Sequence, residues 1–341
     1  MKRIVPLNLN KPNTTMTPNR IPSLVRNSGL ALVASLAFSA ASSAADKPFS
    51  KIVTFGDSLS DTGNAFLYTG GFFPFTPPNA PGRVSNGAIW VEYLAEKLHM
   101  ELKPESQYAV AGARTDHDNF NAYMGLPLAD TGLQTQIADF LQDSGPEGAD
   151  PQALYTVWIG ANDIFTTLNL GGDINLTVYT AIQNTAQSVA LLASQGARHI
   201  VVANLPDLGL TPFGLSFGLG FSAQLSGLTL AYNAGLEQAL DSLEDAGIPT
   251  IRFDSAGLIR EIAADPMAFG LVNASDQAVD SGENPDSYLF WDGVHPTTAG
   301  HEVVAERVID ELIAYFSPGR GHGNGLGRSR SLNGLVHASS R

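Results

Sequence analysis

At residues 51–58 the chain reads Lys51-Ile-Val-Thr-Phe-Gly-Asp-Ser58. The part up to Phe55 is apolar and β-branched, which is typical of a strand that is covered on both faces. Gly56 ends this run, and a serine follows two residues later, where the chain has to turn. Loops at the carboxyl ends of parallel strands are where such sheets present ligands and catalytic groups. The stretch therefore predicts a first buried strand with Ser58 at the functional edge of a sheet.

The rest of the chain alternates strand-like segments with helical patterns. The further predicted strands are Gln107–Val110, Leu154–Ile159, His199–Ala203 and Thr250–Phe253. The predicted helices are Ala88–Leu98, Thr131–Leu141, Leu176–Ser194, Ser222–Ala246 and Pro296–Phe316. Strands that alternate with helices favour an α/β fold with a parallel sheet flanked by helices. We expect one domain over residues 46–316.

Both ends of the chain differ in composition from this domain. The first 45 residues contain a basic lead without acidic residues, an apolar run over residues 29–38, and a small-residue series that ends at Ala45. This order is the layout of a secretory signal peptide, which predicts export to the periplasm or the medium. A start at Met16 would give a signal of more ordinary length. Residues 317–341 are rich in Gly, Arg and Ser, which predicts a disordered tail.

Composition narrows the function classes. The chain has 341 residues, of which 44% are hydrophobic and 15% are charged, as in soluble globular proteins. It contains no cysteine, which excludes disulfides and thiolate chemistry. Removal of residues 1–45 takes away five of the 19 basic residues and none of the 33 acidic ones, so the net charge becomes −19. Such a charge repels phosphate backbones, and we expect no nucleic-acid partner.

A second chemical signal lies near the C-terminal end, in Phe290-Trp-Asp-Gly-Val-His-Pro-Thr297. A serine hydroxyl becomes nucleophilic when an imidazole removes its proton, and a carboxylate orients that imidazole. Asp292 and His295 are three residues apart in a glycine-containing loop, so one loop could supply both groups. Of the seven histidines, His295 alone combines a loop context with a nearby carboxylate, and His301 is the alternative base.

A serine that attacks a carbonyl carbon also needs hydrogen-bond donors for the oxyanion of the tetrahedral intermediate. The predicted strand that ends at Ile159 runs into Gly160-Ala-Asn-Asp163, which places the amide of Asn162 at a strand end. Gly112 follows another predicted strand, where a bare backbone N–H can approach a substrate. A turn or helix-cap role is the structural alternative for each of these two residues.

Taken together, the motifs are more specific than any one of them. The order Gly-Asp-Ser-Leu-Ser60, Ala-Gly-Ala113, Gly-Ala-Asn-Asp163 and Asp-Gly-Val-His-Pro296 resembles the GDSL (SGNH) lipase and esterase family. Asp61-Thr-Gly-Asn64 and Gly82-Arg-Val-Ser-Asn-Gly87 extend the resemblance to the subgroup of secreted lipases, hemolysin-like phospholipases and plant esterases.

The resemblance implies a three-layer flavodoxin-like fold and assigns roles by position. Ser58 would be the nucleophile, His295 the general base and acid, and Asp292 the residue that orients His295. The backbone N–H groups of Ser58 and Gly112 and the side-chain amide of Asn162 would form the oxyanion hole. The family reaction would be hydrolysis of an ester through an acyl-enzyme on Ser58.

Two apolar segments, Tyr68–Pro78 and Thr211–Phe221, are predicted to contact an acyl chain or a lipid surface through aromatic residues that no regular element buries. We expect a small-molecule or lipid ester as substrate, a monomer, and neither a cofactor nor a metal, because no His or carboxylate cluster has ligand spacing. The alternatives that share the triad are a carbohydrate O-acetyl esterase, a thioesterase and an acyltransferase. A binding protein on a hydrolase fold is the non-enzymatic alternative.

Overall fold

A computed structural model of the protein describes residues 47–317. The predicted signal peptide and nearly all of the predicted tail lie outside these residues. The strands are β1 (Ile52–Gly56), β2 (Leu154–Trp158), β3 (His199–Ala203), β4 (Ile251–Phe253), β5 (Asn273–Gln277) and β6 (Tyr288–Phe290). The first four form one parallel sheet in the order β1-β2-β3-β4, and β5 pairs with β6 in a separate parallel ladder.

Ten α-helices connect these strands within the described part of the chain. They are α1 (Asn64–Tyr68), α2 (Trp90–Lys97), α3 (Phe120–Tyr123), α4 (Leu133–Ser144), α5 (Ala161–Leu170), α6 (Ile174–Ser194), α7 (Pro212–Ser216), α8 (Leu219–Asp245), α9 (Ser255–Ala264) and α10 (Thr298–Phe316). Parallel neighbours cannot be joined by a tight turn, so each connection crosses a face of the sheet, and most of these crossings contain a helix.

The alternation of side chains along the strands builds two hydrophobic cores, one on each face of the sheet. On β2, Leu154 and Trp158 belong to the core that packs against α2, α9 and α10. Tyr155 and Val157, which point to the opposite face, belong to the core that packs against α4, α5, α6 and α8. The α/β fold with a parallel sheet between two helical layers is therefore confirmed. Among residues 47–317, no helix is long and apolar enough to cross a membrane.

The segment Gln107–Val110 differs from the predicted strand. It runs beside β1, with Tyr108 N donating to Thr54 O at 2.8 Å and Val110 N donating to Gly56 O at 3.1 Å. Only one isolated parallel bridge forms. Gly56 N donates to Gln136 Oε1 at 2.9 Å, so it is not available for a ladder with this segment. The extended segment thus lies where a fifth strand would lie, on the outer side of β1, without a complete ladder.

Candidate active site

Ser58 lies in the turn that follows β1. Gly56 ends the strand with φ of 152°, and a Cβ atom at this position would come within 2.4 Å of the carbonyl oxygen of Trp158 on β2. Beyond the glycine, Asp57 organises the turn, because its Oδ1 accepts from Leu59 N at 3.1 Å and its carbonyl oxygen accepts from Ser60 N at 3.0 Å. The close approach of β1 and β2 and the carboxylate of Asp57 together fix the position of Ser58.

Asp292 and His295 lie in the loop between β6 and α10. Asp292 Oδ1 accepts from the backbone N–H groups of Val294 and His295 at 2.9 and 2.8 Å. The loop is closed by Trp291 N, which donates to His295 O at 2.7 Å. The same carboxylate contacts His295 Nδ1, at 2.9 Å through Oδ1 and at 2.8 Å through Oδ2. The three-residue spacing therefore lets one carboxylate hold both the loop and the imidazole.

The other ring nitrogen of His295 faces the serine. His295 Nε2 lies 2.8 Å from Ser58 Oγ, although the two residues are 237 positions apart in the chain. Because Asp292 can only accept when it is ionised, Nδ1 carries the ring proton and Nε2 is left as the acceptor for the Ser58 hydroxyl. The side chain of His295 is 17% exposed and that of Asp292 is 32% exposed, so both are shielded from bulk water without being sealed from it.

Electrostatics favour the ionised carboxylate and a basic imidazole. Burial alone would raise the pKa of Asp292, but the neighbouring His295 and the two backbone N–H groups outweigh it and hold the pKa below its ordinary value. Burial opposes a charged His295, whereas Asp292, and after it Asp57, favour the imidazolium, and the net result is a raised pKa. A carboxylate beside an imidazole stabilises its protonated form.

The residues predicted for the oxyanion hole line the cleft that also contains His295. Ser58 and Gly112 both line it, and within residues 47–317 neither backbone N–H donates to an acceptor of the chain. Gly112 has φ of 87°, and an added Cβ atom would lie 2.4 Å from Asn121 Nδ2. Glycine is therefore required at position 112 both for the backbone conformation and for space.

Asn162 reaches the same cleft from the first turn of α5. Its Nδ2 donates to Ala113 O at 3.0 Å and, over a longer distance of 3.3 Å, to Asp57 Oδ2. Burial raises the pKa of Asp57 to about 6, against the lowering effects of Leu59 N and His295. Asn162 thus lines the cleft while its side-chain amide donates to two acceptors of the protein.

The cleft around Ser58 has a volume of about 560 Å³ and walls that are mainly apolar. One wall is an aromatic cluster in which Phe213 contacts Phe165, Phe217 and Phe221 at ring-centroid distances of 5.3 to 5.9 Å. Phe73 also lines the cleft, and it packs against a different hydrophobic cluster. The cleft can therefore accept an extended apolar group beside the serine.

One of the sequence predictions about this region needs correction. The Thr211–Phe221 segment is not an irregular loop: it forms α7 and the start of α8, which begins at Leu219. Thr211 caps α7 by accepting from Gly214 N, and Pro212 starts it, which is a common combination at helix N-termini. In the other apolar segment, Phe73 lines the cleft, whereas the exposed ring of Phe72 lies outside it and packs on Phe75.

His301, the alternative base, lies in α10 and does not line the cleft. Its side chain is fully buried, and neither ring nitrogen has a hydrogen-bond partner among residues 47–317. Burial, with a further contribution from His295, lowers the pKa of His301 to about 3. A neutral, enclosed imidazole of this kind belongs to the packing of the helix.

Sequence reasoning missed a buried carboxylate that supports the site. Asp61 accepts from the backbone N–H groups of Gly63, Asn64, Ala65 and Ala111 at distances of 2.6 to 3.0 Å. Because Ala111 precedes Gly112, the carboxylate of Asp61 connects the loop that follows Ser58 to the backbone at Gly112. The motif Asp61-Thr-Gly-Asn64 was visible in the sequence, but only the fold shows what it holds.

The chain that brings Asp292, His295 and Ser58 together also matches a known protein family. Residues 52–308 match the model of the family described as GDSL-like Lipase/Acylhydrolase. The chain belongs to this family. The match begins in β1 and ends in α10, so it includes all five predicted site residues.

Three relatives illustrate the range of names within the family. A thermolabile hemolysin of Vibrio parahaemolyticus is 28% identical over 76% of this chain and 63% of its own length. A phosphatidylcholine-sterol acyltransferase of Aeromonas hydrophila is 28% identical over 76% of this chain and 88% of its own length. Esterase EstA of Pseudomonas aeruginosa is 31% identical over 83% of this chain, which spans 49% of the relative. The chain thus spans only about half to two thirds of two of these three relatives.

Proposed function

We propose that this protein is an exported carboxylic ester hydrolase that cleaves acyl esters through an acyl-enzyme on Ser58. The observation that carries the proposal is the continuous set of contacts from Asp292 through His295 to Ser58 Oγ, beside an apolar cleft. Such a set supplies a nucleophile, a base and a group that orients the base.

In the first half of the reaction, Ser58 Oγ attacks the carbonyl carbon of the ester while its proton moves to His295 Nε2. Asp292 stabilises the resulting imidazolium. The tetrahedral intermediate then collapses, and His295 gives the proton to the leaving alcohol oxygen, which leaves the acyl group on Ser58.

In the second half, His295 takes a proton from a water molecule that attacks the acyl carbon, and the acid leaves as Ser58 recovers its proton. An alcohol in place of water would transfer the acyl group by the same steps, as the name of the Aeromonas hydrophila relative describes for that protein.

The negative charge of both tetrahedral intermediates needs donors. The N–H groups of Ser58 and Gly112 have no acceptor among the described residues, so a substrate oxygen can take both without breaking a bond. Asn162 would add its amide by replacing the 3.3 Å contact to Asp57, the weaker of its two hydrogen bonds. Preformed donors of this kind lower the barrier because they need no reorganisation during the reaction.

The aromatic wall favours a fatty-acyl chain as the acid part of the ester. Four phenylalanine rings lie along one side of the cleft, and burial of apolar surface stabilises by about 0.8 kcal/mol for each methylene. Contact with a lipid surface, through exposed side chains such as Phe217 in the cleft wall and the nearby Leu219, remains a prediction from the sequence and the exposure of these side chains.

Chain-length preference tests this substrate class. For p-nitrophenyl esters from acetate to palmitate, we expect kcat/KM to rise as the chain lengthens to fill the cleft. Phe217→Ser is expected to lower kcat/KM for the longer esters by about tenfold and to leave the acetate ester almost unchanged, because a short acyl group does not reach this ring.

Phe72→Ser is the matched control, since Phe72 and Phe217 are 57% and 65% exposed and Phe72 lies outside the cleft. We expect this variant to keep the wild-type profile. An unchanged profile in Phe217→Ser would contradict an acyl site at the aromatic wall, and the absence of hydrolysis for every ester would contradict the proposed activity.

The proposal of export rests on the sequence of residues 1–45. Expression of the full chain in a Gram-negative host is expected to yield periplasmic or extracellular protein whose intact mass corresponds to cleavage after Ala44 or Ala45. Protein of full-length mass confined to the cytoplasm would contradict export.

A further inference from the structure

The peptide unit between Ala111 and Gly112 has two different environments at its two ends. Its N–H belongs to Gly112, which lines the cleft, and this N–H has no acceptor among residues 47–317. Its carbonyl belongs to Ala111, which is 1% exposed. Two side-chain amides donate to this carbonyl oxygen, Asn119 Nδ2 at 3.0 Å and Asn121 Nδ2 at 3.0 Å. Both lone pairs of the carbonyl oxygen are therefore occupied.

The surrounding hydrogen bonds allow only one orientation of these amides. Asn119 Oδ1 accepts from Asn121 N at 2.8 Å, so its Nδ2 must point the other way. That Nδ2 also donates at 2.9 Å to Thr131 Oγ1, which in turn donates to Leu128 O at 2.7 Å. Asn121 faces the same carbonyl oxygen, which can only accept. Both asparagines are thus donors to Ala111 O.

The peptide unit is also fixed by its neighbours on either side. Ala111 N donates to Asp61 Oδ2 at 2.8 Å, and Gly112 O accepts from Phe120 N at 2.7 Å. A Cβ atom at Gly112 would lie 2.5 Å from Asn119 Oδ1, so the asparagines leave no room for one. Rotation of this peptide unit would break both hydrogen bonds to Ala111 O.

We propose that Asn119 and Asn121 are positioning residues that fix and polarise the Ala111–Gly112 peptide unit for the oxyanion. The peptide group is a resonance hybrid, so a hydrogen bond accepted by its oxygen increases the positive charge on its N–H. Chains of hydrogen bonds strengthen one another in this way. The two amides therefore make Gly112 N–H a stronger and better-aimed donor than an isolated peptide. This inference rests on the oxyanion role proposed above for Gly112.

The test compares Asn121→Leu with Thr131→Val. Asn121→Leu keeps the size of the side chain and removes one donor to Ala111 O. We expect kcat for a p-nitrophenyl ester to fall about tenfold with little change in KM, which is less than the 10²–10³-fold typical of deleting a whole oxyanion donor. Affinity for a trifluoromethyl ketone of the same chain length, which forms an oxyanion on Ser58, is expected to fall in parallel with kcat.

Thr131→Val removes a hydrogen bond of Asn119 in the same loop but leaves both donors to Ala111 O. It is expected to lower the melting temperature while keeping kcat and ketone affinity. Equal losses of kcat in the two variants would overturn the proposal by showing a general loosening of the loop. Wild-type kcat in Asn121→Leu would also overturn it.

The proposed function has a separate test. Loss of activity in Ser58→Ala together with wild-type kcat in Asn121→Leu would contradict only the role proposed for the two asparagines. Activity that survives in Ser58→Ala would contradict the reaction on Ser58 that the proposed function describes, and with it the role of the asparagines. If Asn121→Leu does not fold, Asn121→Ser removes the same amide with a smaller polar side chain and gives the same readout.

Discussion

Replacement of Ser58 by alanine is expected to lower kcat/KM for an acyl ester by about 10⁴–10⁶-fold, because it removes the hydroxyl that meets His295 Nε2 at 2.8 Å. The substitution keeps the backbone N–H of residue 58 and the rest of the cleft. Substrate binding is therefore expected to survive, with the loss in kcat. Initial rates of p-nitrophenyl ester hydrolysis give this result directly.

Ser60→Ala provides the matched control, two residues along the same turn. Ser60 is fully buried, and its Oγ accepts from Trp90 Nε1 at 3.1 Å instead of facing the cleft. We expect this variant to lose some thermal stability and to keep its rate per folded molecule. A comparable loss of rate in both variants would indicate that the turn, and not the Ser58 hydroxyl, is what the activity requires.

Asp292→Asn is expected to lower kcat/KM by about 10⁴-fold, with a change in pH dependence. An amide can still accept from Val294 N and His295 N through its oxygen, so the loop is expected to keep its shape. Its NH₂ group, however, would face His295 Nδ1 and favour the tautomer with the proton on Nε2. That nitrogen could then no longer take the proton of Ser58.

The pH profile separates this effect from a loss of structure. Asp292 raises the pKa of His295, so in the wild type kcat/KM is expected to fall as the pH drops through a value above the ordinary 6.5 of histidine. Without the carboxylate the pKa of His295 falls. The residual activity of Asp292→Asn should therefore decline only at a lower pH, where His295 becomes protonated.

Asp286→Asn makes the same change of charge at an exposed position six residues earlier and should alter neither the rate nor the acid limb. An acid limb that stays in place in Asp292→Asn would contradict the electrostatic role of Asp292.

Much of the fold could be predicted because its signals are local. The apolar strands after Lys51 and around His199 and the long amphipathic helices were located to within a few residues of their observed bounds. Helix α5 was not predicted, and its sequence contains two adjacent β-branched threonines, which have low helix propensity. The ladder of β5 and β6 was missed because Asn273–Gln277 is polar and reads as a turn.

The incomplete strand at Gln107–Val110 could not be predicted from its own residues. The side chain of Gln136, which takes the N–H of Gly56, comes from a helix 80 positions away in the chain. Tertiary contacts of this kind override local β-propensity.

The triad residues could be predicted because each of them belongs to a short local motif. Asp292 and His295 share one loop, and Ser58 follows a strand end, so only the pairing of the two loops depended on the fold. The support of the oxyanion glycine by Asp61, Asn119 and Asn121 depends on hydrogen bonds between loops. Neither the spacing nor the residue types near Gly112 indicate it.

Covalent labelling tests the central claim, which is that Ser58 is the nucleophile. A p-nitrophenyl alkylphosphonate transfers its phosphonyl group to an activated serine, and the resulting adduct mimics the tetrahedral intermediate. We expect one phosphonyl group per chain, located on Ser58 by mass spectrometry of peptides, with p-nitrophenol released in equal amount and activity lost in proportion. An adduct on a different residue, or a fully active enzyme without an adduct, would contradict the account.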